Sequence, residues 1–171
     1  MGESPTWDEV RELMVRRPKP PIRATVTDTS RTPPRRLHVI HDGLDGWLIE
    51  EDARIEMSAG KASTVMFDGR ELAGFRGQHV SSDTHVKAMF EGHLMASIDE
   101  ASGTVIGREV CAGREAWVVD VVGLRRDSED RFRLSVDAEH GFVVRLEGRD
   151  AVVAMDDVVI GTLRGIAGMT P

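Results

Sequence analysis

The chain has one cysteine, no tyrosine, and only three Trp and five Phe in 171 residues. A lone Cys111 excludes an intramolecular disulfide framework and a Cys-rich zinc site. Aromatic residues at 5% leave little of the stacking platform that single-strand nucleic-acid binders use. A net charge of −7 further argues against DNA or RNA as partner. No apolar run approaches the ~18 residues of a membrane span, so no integral membrane segment is expected. Residues 1–21 read MGESPTWDEVRELMVRRPKPP, without the apolar stretch of a secretory leader. Together these absences predict a soluble, cytoplasmic protein. Catalytic signatures are missing too. There is no H-E-x-x-H and no G-x-S-x-G, and Gly60-Lys61-Ala62-Ser63 has neither the hydroxyl residue nor the upstream glycine of a phosphate loop. No enzyme activity, cofactor or metal is expected.

What remains is an ordinary globular balance, 40% hydrophobic and 30% charged, in a length that suits a single domain over 1–171. The N-terminal fifth is different material. Residues 1–36 carry eight Lys+Arg against five Asp+Glu, and six of the seven prolines lie in residues 1–34. Thr6 caps a predicted helix over Trp7–Arg17, with Trp7, Val10, Leu13 and Met14 on one face. Pro18, Pro20 and Pro21 stop it, and the arm at 16–21 reads as a strap or as a proline segment for a partner. From Ile22 the period changes to two. Strands are predicted over 22–27, 37–41, 47–50, 53–57, 62–67 and 71–76. A helix follows over Asp83–Ile98, its apolar stripe formed by Val86, Met89, Phe90, Leu94 and Ile98. Strands return over 104–111, 116–124, 132–137, 142–147 and 152–160. Trp117–Val122 is apolar on both faces apart from Asp120, which predicts a central strand covered on both sides. The tail from 161 to 171 is weakly patterned. The expected fold is mainly β with α: one antiparallel sheet system of about eleven strands over 22–160, interrupted only by the helix. A sheet that long must curl or split.

The second half carries a recognisable cadence. Gly113-Arg114 opens a strand through Trp117. Phe132-Arg133-Leu134-Ser135-Val136-Asp137 then leads through Ala138-Glu139-His140 to Gly141-Phe142-Val143-Val144-Arg145-Leu146-Glu147. This resembles the closing hairpins of the LolA-like superfamily, the LolA and LolB lipoprotein carriers and the sigma-factor regulators of the MucB/RseB type. The resemblance implies an unclosed half-barrel of eleven strands with helices in its mouth. It also implies an apolar cavity, and it transfers no functional residue.

Candidate residues follow from these expectations. Val86, Met89, Phe90, Leu94, Ile98 and Trp117 would line the cavity. The interior helix would act as its lid or plug, and Gly92 within that helix would weaken it. Asp120, also a candidate cavity residue, is expected to be buried, either facing a polar pocket or paired with Arg114 or Arg133. His85, Met89 and His93 share a helix face, but the two histidines lie ~12 Å apart along it, too far for one ion. Asp42, Asp45, Glu50, Glu51 and Asp52 read as turn chemistry, Asp156-Asp157 as a solvated edge, and Cys111 as a small buried hydrophobe. Two readings stand: a non-enzymatic half-barrel that binds an acyl chain or an apolar segment of a partner protein, and a protein-interaction module whose core is filled by its own side chains.

Overall fold

In the computed structural model, residues 4–43, 47–51, 54–58, 63–67, 70–72, 84–92, 101–125 and 128–166 are described below. The first element is α1 (Trp7–Val15). Thr6 accepts a bond from the Glu9 backbone N–H, and the Glu9 carboxylate accepts one from the Thr6 N–H, a reciprocal cap at the helix start. The helix ends at Val15, two residues short of the expected Arg17, and Arg16 is already extended. Arg17 precedes Pro18, and a residue before proline avoids helical backbone.

Four strands follow as a meander: β1 (Ile22–Asp28), β2 (Arg35–His41), β3 (Trp47–Glu51) and β4 (Arg54–Ser58). Then come β5 (Ser63–Phe67), β6 (Arg70–Leu72) and α2 (Thr84–Phe90). The second half holds β7 (Ser102–Cys111), β8 (Arg114–Arg125), β9 (Ser128–Asp137), β10 (Val143–Glu147), β11 (Val152–Ile160) and β12 (Thr162–Ile166). All ladders are antiparallel. The larger sheet runs β4-β3-β2-β1-β11-β10-β9-β8-β7 and does not close on itself. Two meanders therefore meet where β1 pairs with β11.

The structure corrects three expectations here. The described residues form twelve strands in two sheets, not about eleven in one. β5 and β6 leave the main sheet and pair with each other, and the other side of β5 pairs with β12, which lies in the tail read as weakly patterned. β5 finds its partner about a hundred residues away instead of in the preceding hairpin, and no local period reports such a pairing. The interior helix is described over Thr84–Phe90, shorter than the expected Asp83–Ile98; Asp83, Leu94 and Ile98 lie outside the described residues. Trp117–Val122 belongs to β8, one strand from the β7 edge, and is covered on one face only.

That covered face carries the core. Ala24, Val26, Leu37 and Val39 are cross-strand neighbours on β1 and β2, and Met155 sits opposite Val26. Val119 pairs with Leu134, and Trp117 with Val136. These residues form one buried cluster with Val10 and Met14 of α1 and with Val86, Met89 and Phe90 of α2. Both helices thus pack on the same apolar face.

The first helix sits unusually close to the sheet system. A side chain on Gly103 would collide with the Trp7 ring, and one on Gly141 with the Leu13 carbonyl. A Cβ on Gly92 would lie 2.8 Å from the Met14 carbonyl oxygen. Gly92 lies two residues past the end of α2, so it is a contact glycine and not a weak point inside that helix. Gly92→Ala is therefore expected to destabilise the fold by roughly 1–3 kcal/mol through overpacking, not to stabilise it by the ~1 kcal/mol of a helix-interior exchange. Urea unfolding of the two proteins measures the sign directly.

Candidate functional site

Period-two alternation aims one row of β2 side chains inward: Leu37, Val39 and then His41. His41 is fully buried, and a buried imidazole needs a polar partner. Its Nε2 lies 3.0 Å from Glu91 Oε1, just past the end of α2, and its Nδ1 accepts the Gly43 N–H at 3.2 Å. The same carboxylate takes the Arg17 guanidinium from the N-terminal arm. Burial alone would push the Glu91 carboxyl up. The hydrogen bond and charge of His41, with those of Arg17, outweigh it and hold Glu91 below the usual carboxylate range.

Two residues on, Lys19 is buried against the β9–β10 turn. Its ammonium donates to the His140 carbonyl at 2.6 Å and to the Leu13 carbonyl at 3.1 Å, and lies 5.0 Å from the centre of the Phe142 ring. Burial and the neighbouring Arg16 push its pKa down to about 8, against the opposing pull of Asp137. The Lys19 N–H also reaches the Gly43 carbonyl, and the Pro21 carbonyl accepts from Gly161. The arm is thus tied in turn to α2, the β9–β10 turn, the end of β2 and the end of β11.

The two halves of the quoted cadence meet in space. Ala112 and Gly113 form a two-residue turn, both at positive φ, and Arg114 emerges from it to pair with the buried Asp137. Asp137 also accepts the backbone N–H groups of Glu139 and His140, fixing the turn that ends at Gly141.

Of the candidate cavity residues, Val86, Met89, Phe90 and Trp117 are brought together in the buried cluster. Every residue from Val86 to Gly92 is buried, Lys87 and Glu91 included, so this stretch is covered on all sides. Phe90 stands edge-on to Phe142 with ring centres 6.4 Å apart. Asp120 is not with them. It lies on the opposite face with its side chain 49% exposed, paired with Arg133 at 2.7 Å. The partner is one of the two expected. The burial is not, because Val118 and Val122 share the outer row with Asp120 and hide the alternation. This pair holds Asp120 below the usual carboxylate range. His93, Asp45 and Asp52 lie outside the described residues, Asp42 is buried, and Asp156 and Asp157 are exposed. Cys111 is half-buried, and burial with Glu109 nearby pushes its thiol up. Among the described residues, no three His, Cys, Asp or Glu side chains are grouped to hold a metal, and no helix is long and apolar enough to cross a membrane.

The outer face also holds an open cavity of about 460 Å³, lined by Arg23, Thr25, His38 and Asp157 among others. The Thr25 hydroxyl lies 3.3 Å from His38 Nδ1 and 3.5 Å from Asp157 Oδ2. Imidazole and carboxylate both converge on the hydroxyl. A relay would instead have the carboxylate orient the imidazole.

No family model matches the chain, and no curated protein matches it in sequence. Solved structures do. The MucA/MucB complex of Pseudomonas aeruginosa is similar with a TM-score of 0.54 at 14% identity, over 96% of this chain and 57% of that one. MucB in complex with MucA(peri) gives 0.53 at 15%, over 96% and 58%. The fold is LolA-like. The chain spans little more than half the length of the MucB chains it matches. The Mycobacterium tuberculosis lipoprotein LppX is also similar, with a TM-score of 0.46 at 9% identity over 91% of this chain and 92% of that one. The cytoplasmic expectation is corrected by these findings: the fold is shared with MucB, solved bound to MucA(peri), which points away from that compartment. The expectation rested on how the given sequence begins, which does not fix a location.

Glu91 is the residue that joins strap, helix and sheet. Its depressed pKa contributes stability that is present above the ordinary carboxylate range and lost as pH falls through the folded-state value. Glu91→Gln is expected to cost about 3 kcal/mol at neutral pH by leaving Arg17 and His41 without their carboxylate. The gap to the wild type should close as pH drops below about 4. Denaturant unfolding of both proteins across pH 3–7 reads this.

Proposed function

We propose that this chain is a non-enzymatic binding module that takes a protein partner and whose apolar face is filled by its own side chains. The observation that carries the reading is the stretch Val86–Gly92, buried throughout and seated with Phe90 against Phe142 and His41. Val10 and Met14 of α1 occupy the same cluster. An acyl chain entering between helices and sheet would have to displace these residues. The fold supports a binding role of this kind, since MucB, which shares it, is solved in complex with MucA. The pairing in MucB involves a chain nearly twice as long, so the partner here is identified by class and not by name.

The carrier reading asks the same residues, Val86, Met89, Phe90 and Trp117, to line an open cavity with α2 as a lid. The two readings separate by experiment. Native mass spectrometry of the purified protein is expected to give the bare chain mass, without co-purifying lipid. Phe90→Ala is expected to cost ~3–5 kcal/mol, as for a fully buried ring. Amide exchange in α2 should be as slow as in β8. A bound acyl lipid, with exchange in α2 much faster than in β8, would establish the carrier instead.

A further inference from the structure

We propose that the outer edge of β7, over Gly107–Cys111, receives an extended segment of a partner protein by strand addition; the proposal deepens the protein-binding reading and rests on it. Among the described residues β7 ends the nine-stranded sheet and pairs only with β8. An edge strand presents a row of backbone donors and acceptors that another chain can satisfy. Native proteins usually blunt such edges by keeping them short and polar. This one is ten residues long. It also carries both of the large hydrophobic side chains that stand exposed among the described residues, Ile106 at 50% and Val110 at 74%.

The register limits where addition can occur. β7 is irregular between Val105 and Gly107 and runs regularly from Gly107 to Cys111 against β8. A bulge ends regular pairing, which places the site on the C-terminal side of Ile106. A methyl group built on Gly107 would meet open space, so the backbone there is approachable. Arg108 and Val110 lie on one face, and Glu109 lies between them on the other. The Arg108 guanidinium carbon lies 3.8 Å from the Trp117 ring centre while the side chain stays 56% exposed, which positions its charge without taking it out of solvent.

These residues describe their occupant. Directly opposed side chains on an antiparallel pair interact most strongly, and opposite charges there are favourable. A segment running antiparallel to β7 would place an apolar residue opposite Val110, a basic one opposite Glu109 and an acidic one opposite Arg108. The partner motif is therefore apolar–basic–acidic in an extended stretch. Self-pairing of two copies centred on Arg108 or on Glu109 puts like charges face to face, which is destabilising. A register centred on Val110 avoids this clash but leaves Arg108 and Glu109 with no opposite charge facing them, which a foreign segment supplies.

The test uses the full chain, isotope-labelled, with the peptide acetyl-STVKETS-amide as probe and its charge-exchanged form STVEKTS as control. Saturating probe is expected to slow amide exchange at least tenfold at Arg108 and Val110, whose N–H groups face away from β8, while Glu109 and Cys111, already bonded to β8, serve as internal references. Val110→Lys, at an exposed position that leaves the core intact, should weaken binding at least tenfold, as should exchanging the two charges in the peptide. Equal binding of both peptides, or protection that appears only elsewhere on the protein, overturns the edge site while leaving a protein-binding role standing. A wild-type dimer in sedimentation equilibrium that Val110→Lys converts to monomer would assign the edge to a second copy and overturn the proposal. Co-purifying lipid, read separately by native mass, bears on the underlying reading alone.

Discussion

An unclosed sheet with one apolar face cannot stay in water uncovered, and most of this structure answers to that constraint. Burying a Val, Leu, Phe or Met side chain contributes about 1.5–3 kcal/mol. Ile22, Val26, Val39, Val119, Leu134, Val136 and Met155 are all nearly fully buried on one side of the main sheet. Nothing from the sheet itself can cover them, since its ends do not meet. Among the described residues two short helices do so, neither long enough to be stable alone. Each is held by its contacts, and the glycines facing Trp7, Leu13 and Met14 bring the first helix close enough for its side chains to reach the strands.

Covering a sheet with separate elements raises a second problem, which is how to hold them in place. Here the answer is polar. Arg17, Glu91 and His41 come from the arm, the end of α2 and the end of β2. A single carboxylate thus links the three pieces that must stay together. Buried charges of this kind contribute little net stability against an apolar substitute, but breaking one partner is costly. That asymmetry suits a fastening that tolerates few alternative arrangements. Lys19 fastens the arm a second time by filling backbone carbonyls at the β9–β10 turn, and the depressed pKa of its amine reflects how far it is removed from water.

The parts legible in the sequence are those whose cause is local. Alternation at Ile22–Val26 and Leu37–His41 placed β1 and β2 within two residues, the Asp137–Gly141 turn fixed the end of β9 though not its start, and Thr6 with Glu9 marked the helix start. The quoted cadence around Arg114 and Asp137 led to the correct fold. The parts that were not legible depend on distant partners. β12 has a glycine and only five residues, and its existence depends on β5. Asp120 was expected to be buried because Val118 and Val122, in the same outer row, made that face read as covered; its side chain is 49% exposed. The fastening residues were hidden for the same reason. Glu91 fell inside the expected helix over Asp83–Ile98, where it reads as an ordinary polar-face residue, and its partner His41 lies fifty residues away. Only the parity of β2, which points His41 inward after Leu37 and Val39, carried a signal.

The seam between β1 and β11 has a consequence for how the molecule comes into being. During synthesis β1 must wait for β11, well over a hundred residues further on, before its open side is paired, because Ile22 lies opposite Ile160. Each meander is assembled from near neighbours and can form quickly, whereas joining them closes a loop of well over a hundred residues. Such non-local contacts slow folding. During synthesis the first meander exists as a half-sheet with β1 as a bare, strongly β-forming border, a species prone to wrong pairings. A chain interrupted before Val152 would not be a slightly smaller version of this protein. It would be two disconnected hairpin stacks, each with half of a core.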